Sequence, residues 1–289
     1  MVMVQLVAEL VVYGLIEGAV YSLLALGYSL VYGVGGIMNL SHGALYILTG
    51  YIVFWALMGN IIYLGAIILS IIITTLIGAI IYLIVIKPLQ DKPMAILIIT
   101  FALAMFIQQL VTVVTITPTV RIPGPQILGE SLTVLGVGVT YQNILTIVAS
   151  ITIVVLFILF INKTKVGNAI RAISQDKDAA KLMGINVNRY LMYTLMISSF
   201  LAAVAAVVNL TILSAFSGWQ VLTTAFSVVI LGGLGSLWGS VIASYILGYI
   251  TMGVSIFINP LIAPLVPVVV IVVMLIIRPQ GLFGKKERS

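Results

Sequence analysis

No Lys or Arg stands anywhere in the first eighty-six residues, and Lys87 is the first basic side chain. A helix needs about 20 apolar residues to cross the hydrocarbon core of a bilayer, so this opening stretch has room for several crossings. The rest of the chain keeps the same character: 62% of its residues are hydrophobic and 7% are charged. A soluble domain carries roughly 25% charged residues, and no soluble fold of 289 residues buries this much apolar surface. The solvent is lipid. No basic segment precedes the first apolar run, so insertion is expected through the spans themselves rather than through a cleaved signal.

Apolar runs occupy about Leu6–Tyr32, Ala44–Met58, Ile61–Ile86, Met94–Ile116, Tyr141–Ile161, Tyr190–Leu213, Leu222–Leu237, Val241–Ile258 and Leu261–Ile277. Twelve of the thirteen basic residues fall into three places: Lys87 and Lys92; Lys163, Lys165, Arg171, Lys177, Lys181 and Arg189; and Arg278, Lys285, Lys286 and Arg288. The positive-inside rule makes these three places cytoplasmic. Arg121 alone is left over, in the Pro/Gly-rich stretch Thr117–Thr140 with Pro118, Pro123, Gly124, Pro125 and Gly129, which this topology makes an extracytoplasmic loop. Parity then predicts an outer N-terminus and nine crossings, or eight if one short Gly-rich run is re-entrant. The expected fold is an all-α, polytopic membrane bundle forming a single transmembrane domain over residues 1–289.

Two glycine clusters interrupt the runs. Gly33, Gly35 and Gly36 precede Asn39-Leu40-Ser41-His42-Gly43, and Gly232, Gly233, Gly235 and Gly239 form a counterpart in the second half. Such weak internal similarity suits a duplicated transporter fold with discontinuous helices, in which Gly35, Gly36, Gly43, Gly232, Gly233 and Gly235 break the spans. The alternative is close helix packing, for which Gly14/Gly18 and Gly235/Gly239 have the small-xxx-small spacing.

The charged stretch between Ile161 and Tyr190 reads as two short helices. The first puts Ile170 and Ile173 on one face with Arg171 beside them. The second has Asp176 as its N-cap, Asp178 in the first turn, Lys181 in the last, and Gly184 where a left-handed cap residue belongs. A short amphipathic helix suits docking into a groove of another protein; an ordinary solvated loop is the competing reading.

Polar groups at membrane depth are costly and face the protein interior or a water-lined cavity. The candidates for a substrate path are Glu17, Asn39, Ser41, His42, Gln108, Gln109 and Asn209. A carboxylate at Glu17 suits an ammonium group, and backbone amides freed at a break near Asn39, Ser41 and His42 suit a carboxylate. Each also has a structural reading, as a side chain hydrogen-bonded across packed helices. One His, no Cys and no carboxylate cluster argue against a metal. No Gly-x-x-x-x-Gly-Lys-Ser/Thr loop is present, so any ATP hydrolysis must happen on another chain.

The run Gly167-x-x-x-Arg171-Ala172 … Asp176-x-x-Ala179-Ala180-x-x-x-Gly184-Ile185 resembles the cytoplasmic loop of branched-chain amino acid ABC-transporter permeases of the LivH/LivM type. Gly18-Ala19-Val20-Tyr21-Ser22-Leu23 … Asn39-Leu40-Ser41-His42-Gly43-Ala44-Leu45-Tyr46 is similar to that family's first half, closer to LivH. Phe226-x-x-x-Ile230-Leu231-Gly232-Gly233-Leu234-Gly235-Ser236 is similar to its second half, and Arg278-Pro279-Gln280-Gly281-Leu282-Phe283-Gly284 to its C-terminal signature. The resemblance implies an ABC-importer permease in a prokaryotic cytoplasmic membrane that contains no cofactor of its own. It also implies partners: two ATP-binding subunits, a second related permease and an extracytoplasmic substrate-binding protein, with no nucleic acid. It further makes Gly167, Arg171, Ala172, Asp176, Ala179, Ala180 and Gly184 the segment that meets the ATPase. Two departures stand near the expected path: Ala44 where many members carry Glu, and Glu17 where an uncharged residue is usual. Urea, an amide or another small polar solute is the alternative cargo. An ion-coupled secondary transporter, with Glu17 or His42 carrying the proton, is the alternative class.

Overall fold

The structure, a computed structural model, describes residues 2–117, 119–134, 136–210 and 212–284. Pro118 and the tail residues Lys285, Lys286 and Arg288 lie outside the described residues. The chain is helical almost throughout. In order it forms α1 (Val2–Gly35), α2 (His42–Met58), α3 (Tyr63–Ile81), α4 (Pro93–Thr115), β1 (Thr119–Arg121), α5 (Gln126–Gly129), β2 (Ser131–Val134) and β3 (Val137–Thr140). There follow α6 (Tyr141–Lys163), α7 (Lys165–Gln175), α8 (Lys177–Leu182), α9 (Val187–Val208), β4 (Ile212–Ser214), α10 (Ser217–Gly232), α11 (Leu237–Phe257) and α12 (Val266–Ile277). Six stretches are long and apolar enough to span a membrane, namely α1, α3 with its continuation to Leu89, α4, α6, α9 and α11. Three shorter apolar helices, α2, α10 and the Ala263–Ile277 stretch that contains α12, accompany them among the described residues. The protein is a multi-pass membrane protein.

Local chemistry sets most boundaries. Thr140, Thr164, Asn186 and Ser236 cap α6, α7, α9 and α11, each accepting a hydrogen bond from the backbone N–H three residues on, which satisfies a donor the helix start leaves orphaned. Pro93 opens α4 at a position where its missing N–H costs nothing. α3 does not stop at Ile81 but widens through a π turn at Tyr82–Ile86 and then tightens through a 3-10 turn at Lys87–Leu89.

α1 is the central post. It packs along α11, and the approach is close: a Cβ on Gly248 would lie 2.6 Å from the Gly18 amide nitrogen. Small residues bring backbones together in lipid, where packing rather than water exclusion holds helices. α9 packs against α1, α2 and α3. Much of the outer surface of α3, α4, α6 and α12 is bare hydrocarbon, with Leu76, Phe106, Leu156 and Val272 exposed. That face is the one a bilayer solvates.

The helices are interrupted at both glycine clusters, although Gly43, expected as a break, is already the second residue of α2 and packs a helix face against the Gly218 carbonyl. α1 ends at Gly35, residues 36–41 are non-helical, and α2 begins at His42. α10 ends at Gly232, and Gly233 takes φ +100°, a conformation closed to L side chains, before α11 begins. The two breaks meet, since a Cβ on Gly33 would stand 3.1 Å from Gly235 Cα. The same glycine chemistry corrects one boundary. The run expected over Leu222–Leu237 is the helix Ser217–Gly232, because Gly232-Gly233 stops it and Leu237 already belongs to α11. The C-terminal Pro-Gln-Gly-Leu-Phe-Gly segment folds back here: Leu282 N–H donates to the Leu231 carbonyl at 2.8 Å and Phe283 N–H to Gly232 at 3.1 Å.

The Thr117–Thr140 stretch, expected as a loop, carries strands. β2 and β3 form a hairpin, while β1 pairs antiparallel with β4, placing Val120 opposite Leu213 and Arg121 opposite Ile212. At the other end of the bundle, α7 and α8 lie beside the C-terminus of α1 and the start of α9. As the spacing predicts, Ile170 and Ile173 are buried and Arg171 is exposed. Asp176 caps α8 by accepting from the Asp178 and Ala179 amides. Gly184 closes it with φ +80°, its N–H donating to Lys181 and that of Ile185 to Ala180, the paired carbonyl capture of a Schellman turn.

Candidate functional site

Two helix faces with one spacing build the site. On α1, Glu17, Val20, Tyr21 and Leu24 fall at i, i+3, i+4 and i+7, and on α10 Ser217, Gln220, Val221 and Thr224 repeat the interval. That spacing puts each set on a single face. The two faces look at each other across a cavity of about 360 Å³, which Tyr46 of α2, Asn209 just after α9, and Leu213 of β4 also line. The lining divides by chemistry. Glu17, Tyr21, Tyr46, Asn209, Ser217, Gln220 and Thr224 give one carboxylate, amides and hydroxyls. Val20, Leu24, Leu213 and Val221 give aliphatic wall.

The polar groups are partly engaged with one another. Asn209 Nδ2 donates to the Tyr46 hydroxyl at 3.3 Å. The Tyr21 hydroxyl lies one helical turn from Glu17 and interacts with its carboxylate. Tyr46 is buried, while Asn209 and Gln220 are exposed and Glu17 and Tyr21 half-buried, so these four are open to the cavity. Such a space accepts a small molecule with a cationic or hydrogen-bonding end and an aliphatic body.

Of the candidate path residues, the structure brings together Glu17 and Asn209. Asn39, Ser41 and His42 lie at the α1–α2 break and are fully buried. Asn39 Oδ1 accepts from the Ser41 amide at 3.1 Å and from its hydroxyl at 2.6 Å, shaping the turn. His42 stands between three helices, its Nε2 3.2 Å from the Leu24 carbonyl on α1 and its Nδ1 3.2 Å from Ser198 Oγ on α9. Gln108 borders a separate narrow gap beside Ala44, Trp219 and Leu222. Gln109 sits on the exposed face of α4. Tyr21, Tyr46, Ser217, Gln220 and Thr224 are the site residues sequence reasoning missed. The repeated 17/20/21/24 and 217/220/221/224 interval is the signal that finds those on α1 and α10.

The expected ATPase-facing residues divide too. Arg171, Asp176, Ala179 and Gly184 are exposed and Ala172 partly so, but Gly167 and Ala180 are buried inward. Their outward neighbours Leu182 and Met183 are 88% and 82% exposed, an apolar tip beyond the lipid-spanning helices. Arg171 is held by Asn162 Oδ1 at 3.2 Å and Asn168 Oδ1 at 2.7 Å. Lys177 reaches across to donate to the Gly35 carbonyl at the end of α1. Burial pushes its ammonium down from the ordinary lysine value, Lys181 adding to the shift and Asp178 opposing it.

Residues 10–278 match the family described as branched-chain amino acid transport system / permease component. A high-affinity branched-chain amino acid transport system permease protein, BraD of Pseudomonas aeruginosa, is 32% identical over 96% of this chain and 95% of its own. LivH of Escherichia coli K12, of the same description, is 30% identical over 79% of this chain and 80% of its own. Among solved structures, PsaBC from Streptococcus pneumoniae in complex with Fab aligns over 93% of this chain and 91% of that one, with a TM-score of 0.51 and 18% identity. That last likeness is one of fold. The family match spans the α1–α2 break, the cavity, α7–α8 and the α10–α11 break alike, and this chain belongs to the branched-chain amino acid transport permeases.

Proposed function

We propose that this chain is the membrane subunit of an ATP-driven importer of branched-chain or similar amino acids. In this reading the α1/α10 cavity is part of its path. The observation that carries the proposal is the division of the cavity lining. A carboxylate at Glu17, with Tyr21 and Asn209 beside it, suits an ammonium group, while Val20, Leu24, Leu213 and Val221 suit a branched aliphatic side chain. The charged contact is strengthened by the low dielectric around it.

The basic end of the bundle, with α7 and α8, is cytoplasmic in this reading, and the end with β1–β4 is extracytoplasmic. The exposed tip at Leu182 and Met183, with Arg171 and Ala179 nearby, meets an ATP-binding subunit. Two such subunits, a second related permease and an extracytoplasmic binding protein complete the assembly in a prokaryotic cytoplasmic membrane. ATP-driven closure of the motor displaces α7–α8, and the bundle answers by rocking between outward- and inward-facing states.

The test is uptake by the complete reconstituted complex against a panel of amino acids, urea and short amides. ATP-dependent uptake of leucine, isoleucine or valine, reduced by Glu17→Gln, is expected. Uptake of urea or amides in their place, or uptake driven by a proton gradient without ATP, overturns the reading.

A further inference from the structure

Arg121 is the one basic residue outside the three basic clusters. It stands at the end of the bundle opposite α7–α8, on β1, where the charge rule for membrane proteins gives it no topological purpose. Among the described residues it has no ion-pair or side-chain hydrogen-bond partner. It lines a cavity of about 670 Å³ between the α2–α3 turn, the 121–129 segment and the start of α6. Tyr63 and Asn143 add polar groups there, and Met58, Leu128 and Leu210 add apolar wall. No carboxylate lines it.

This cavity and the Glu17 cavity share a partition. Leu210 faces the outer space and Asn209, its chain neighbour, the inner one. In the β1–β4 ribbon, Arg121 borders the outer cavity, while Leu213, paired with Val120, borders the inner. Two short strands therefore separate an unpaired guanidinium from a half-buried carboxylate. A neutral solute needs neither charge. A zwitterion with an apolar body has a use for both, meeting a cation first and an anion second.

We propose that the Arg121 cavity is an outer subsite for an amino acid, which it takes by the carboxylate while the side chain rests on the Met58–Leu128 wall. This rests on the amino-acid importer reading above. A guanidinium pairs a carboxylate through two parallel N–H···O bonds, and the volume suits a ligand of that size.

The chain has no cysteine, so Gly124→Cys, at an open position on the cavity wall, gives a labelling probe without background. Maleimide labelling is followed in the assembled membrane complex, with and without binding protein. L-leucine and 4-methylpentanoate, which carry the carboxylate, are expected to slow labelling severalfold, and 3-methylbutylamine, which lacks it, is expected not to. Arg121→Gln should weaken protection about tenfold, the scale of a lost charge-assisted contact, Arg121→Lys should restore part of it, and Glu17→Gln should leave it intact. Equal protection by the amine, or protection that survives Arg121→Gln, overturns the subsite. So does an Arg121 effect that appears only with the binding protein, which makes the residue a docking contact. Protection by phosphatidylglycerol alone overturns it in favour of a lipid headgroup. The analogue comparison is made with Arg121 in place, so a misfolded variant does not remove the test. Leucine uptake without protection defeats the subsite alone; absence of amino-acid uptake defeats the reading beneath it.

Discussion

Lys177, the first residue of α8, donates a hydrogen bond to the carbonyl of Gly35, the last residue of α1. Residues 142 positions apart thus join the peripheral helix pair to the post that carries Glu17. A cation at a helix C-terminus answers both an unpaired carbonyl and the negative end of the macrodipole.

If this bond transmits the motor stroke, Lys177→Met should leave assembly and ATP hydrolysis near normal while lowering uptake per ATP several-fold. Lys177→Arg, also a donor, should recover part of it. The lowered Lys177 value also sets a sign. As pH rises through it, short of the ordinary lysine range, the ammonium becomes a neutral amine and a charge-assisted bond becomes a weaker one. Coupling should therefore decline with alkaline pH in the natural protein and hold in the arginine variant. Parallel uptake and phosphate-release measurements across pH decide it.

Glu17→Gln keeps the shape of the cavity and removes its only carboxylate. Uptake at low substrate should fall about tenfold, the size of one charge-assisted contact, with unchanged complex assembly on size-exclusion chromatography. Undiminished uptake would take Glu17 off the path.

His42 predicts the opposite pattern. With both ring nitrogens engaged between α1 and α9 and the ring sealed from the cavity, His42→Leu should lower stability by about 1–3 kcal/mol, the cost of stranding buried polar partners. Thermal unfolding in detergent should reveal the loss. Substrate preference and the pH profile of the surviving protein should not change.

Gly248→Leu tests the α1–α11 seam. Even a Cβ at this position crowds the Gly18 backbone, and backbone cannot swing aside as a side chain does. Overpacking costs about 1–3 kcal/mol in a core that can relax, and this seam should sit at the upper end. A well-folded Gly248→Leu protein with an unchanged melting temperature would mean the helices are farther apart than described.

For the ATPase contact, Leu182→Asp with Met183→Asp is the informative pair, because both side chains point outward, whereas Ala180 is buried and its enlargement would disturb α8 itself. Loss of ATPase subunits from the purified complex, with the permease still folded, is expected. Retention of ATPase and transport would place the motor elsewhere.

The membrane helices and both breaks were readable from the chain, because lipid makes hydropathy and glycine placement nearly sufficient. Asp176 and Gly184 announced the ends of α8 through chemistry that acts within a few residues. The cavity was less legible. Glu17 stood out as a charge among apolar residues, but Tyr21 and Tyr46 are ordinary among thirteen tyrosines, and Gln220 acquires its place only when α10 meets α1. His42 looked like a path residue because a break in sequence does not reveal its depth of burial. The β1–β4 pairing joins Thr119 to Ser214, and strands of three residues leave no periodic trace.

The meeting of Gly33, in the last turn of α1, with Gly235 sets the two interruptions side by side rather than apart. Each interruption forms the bearing surface of the other, with backbone against backbone and no side chain as a cushion. A displacement at either break would press directly on the backbone of the other. If the bundle rocks as proposed, the two breaks move as a coupled pair.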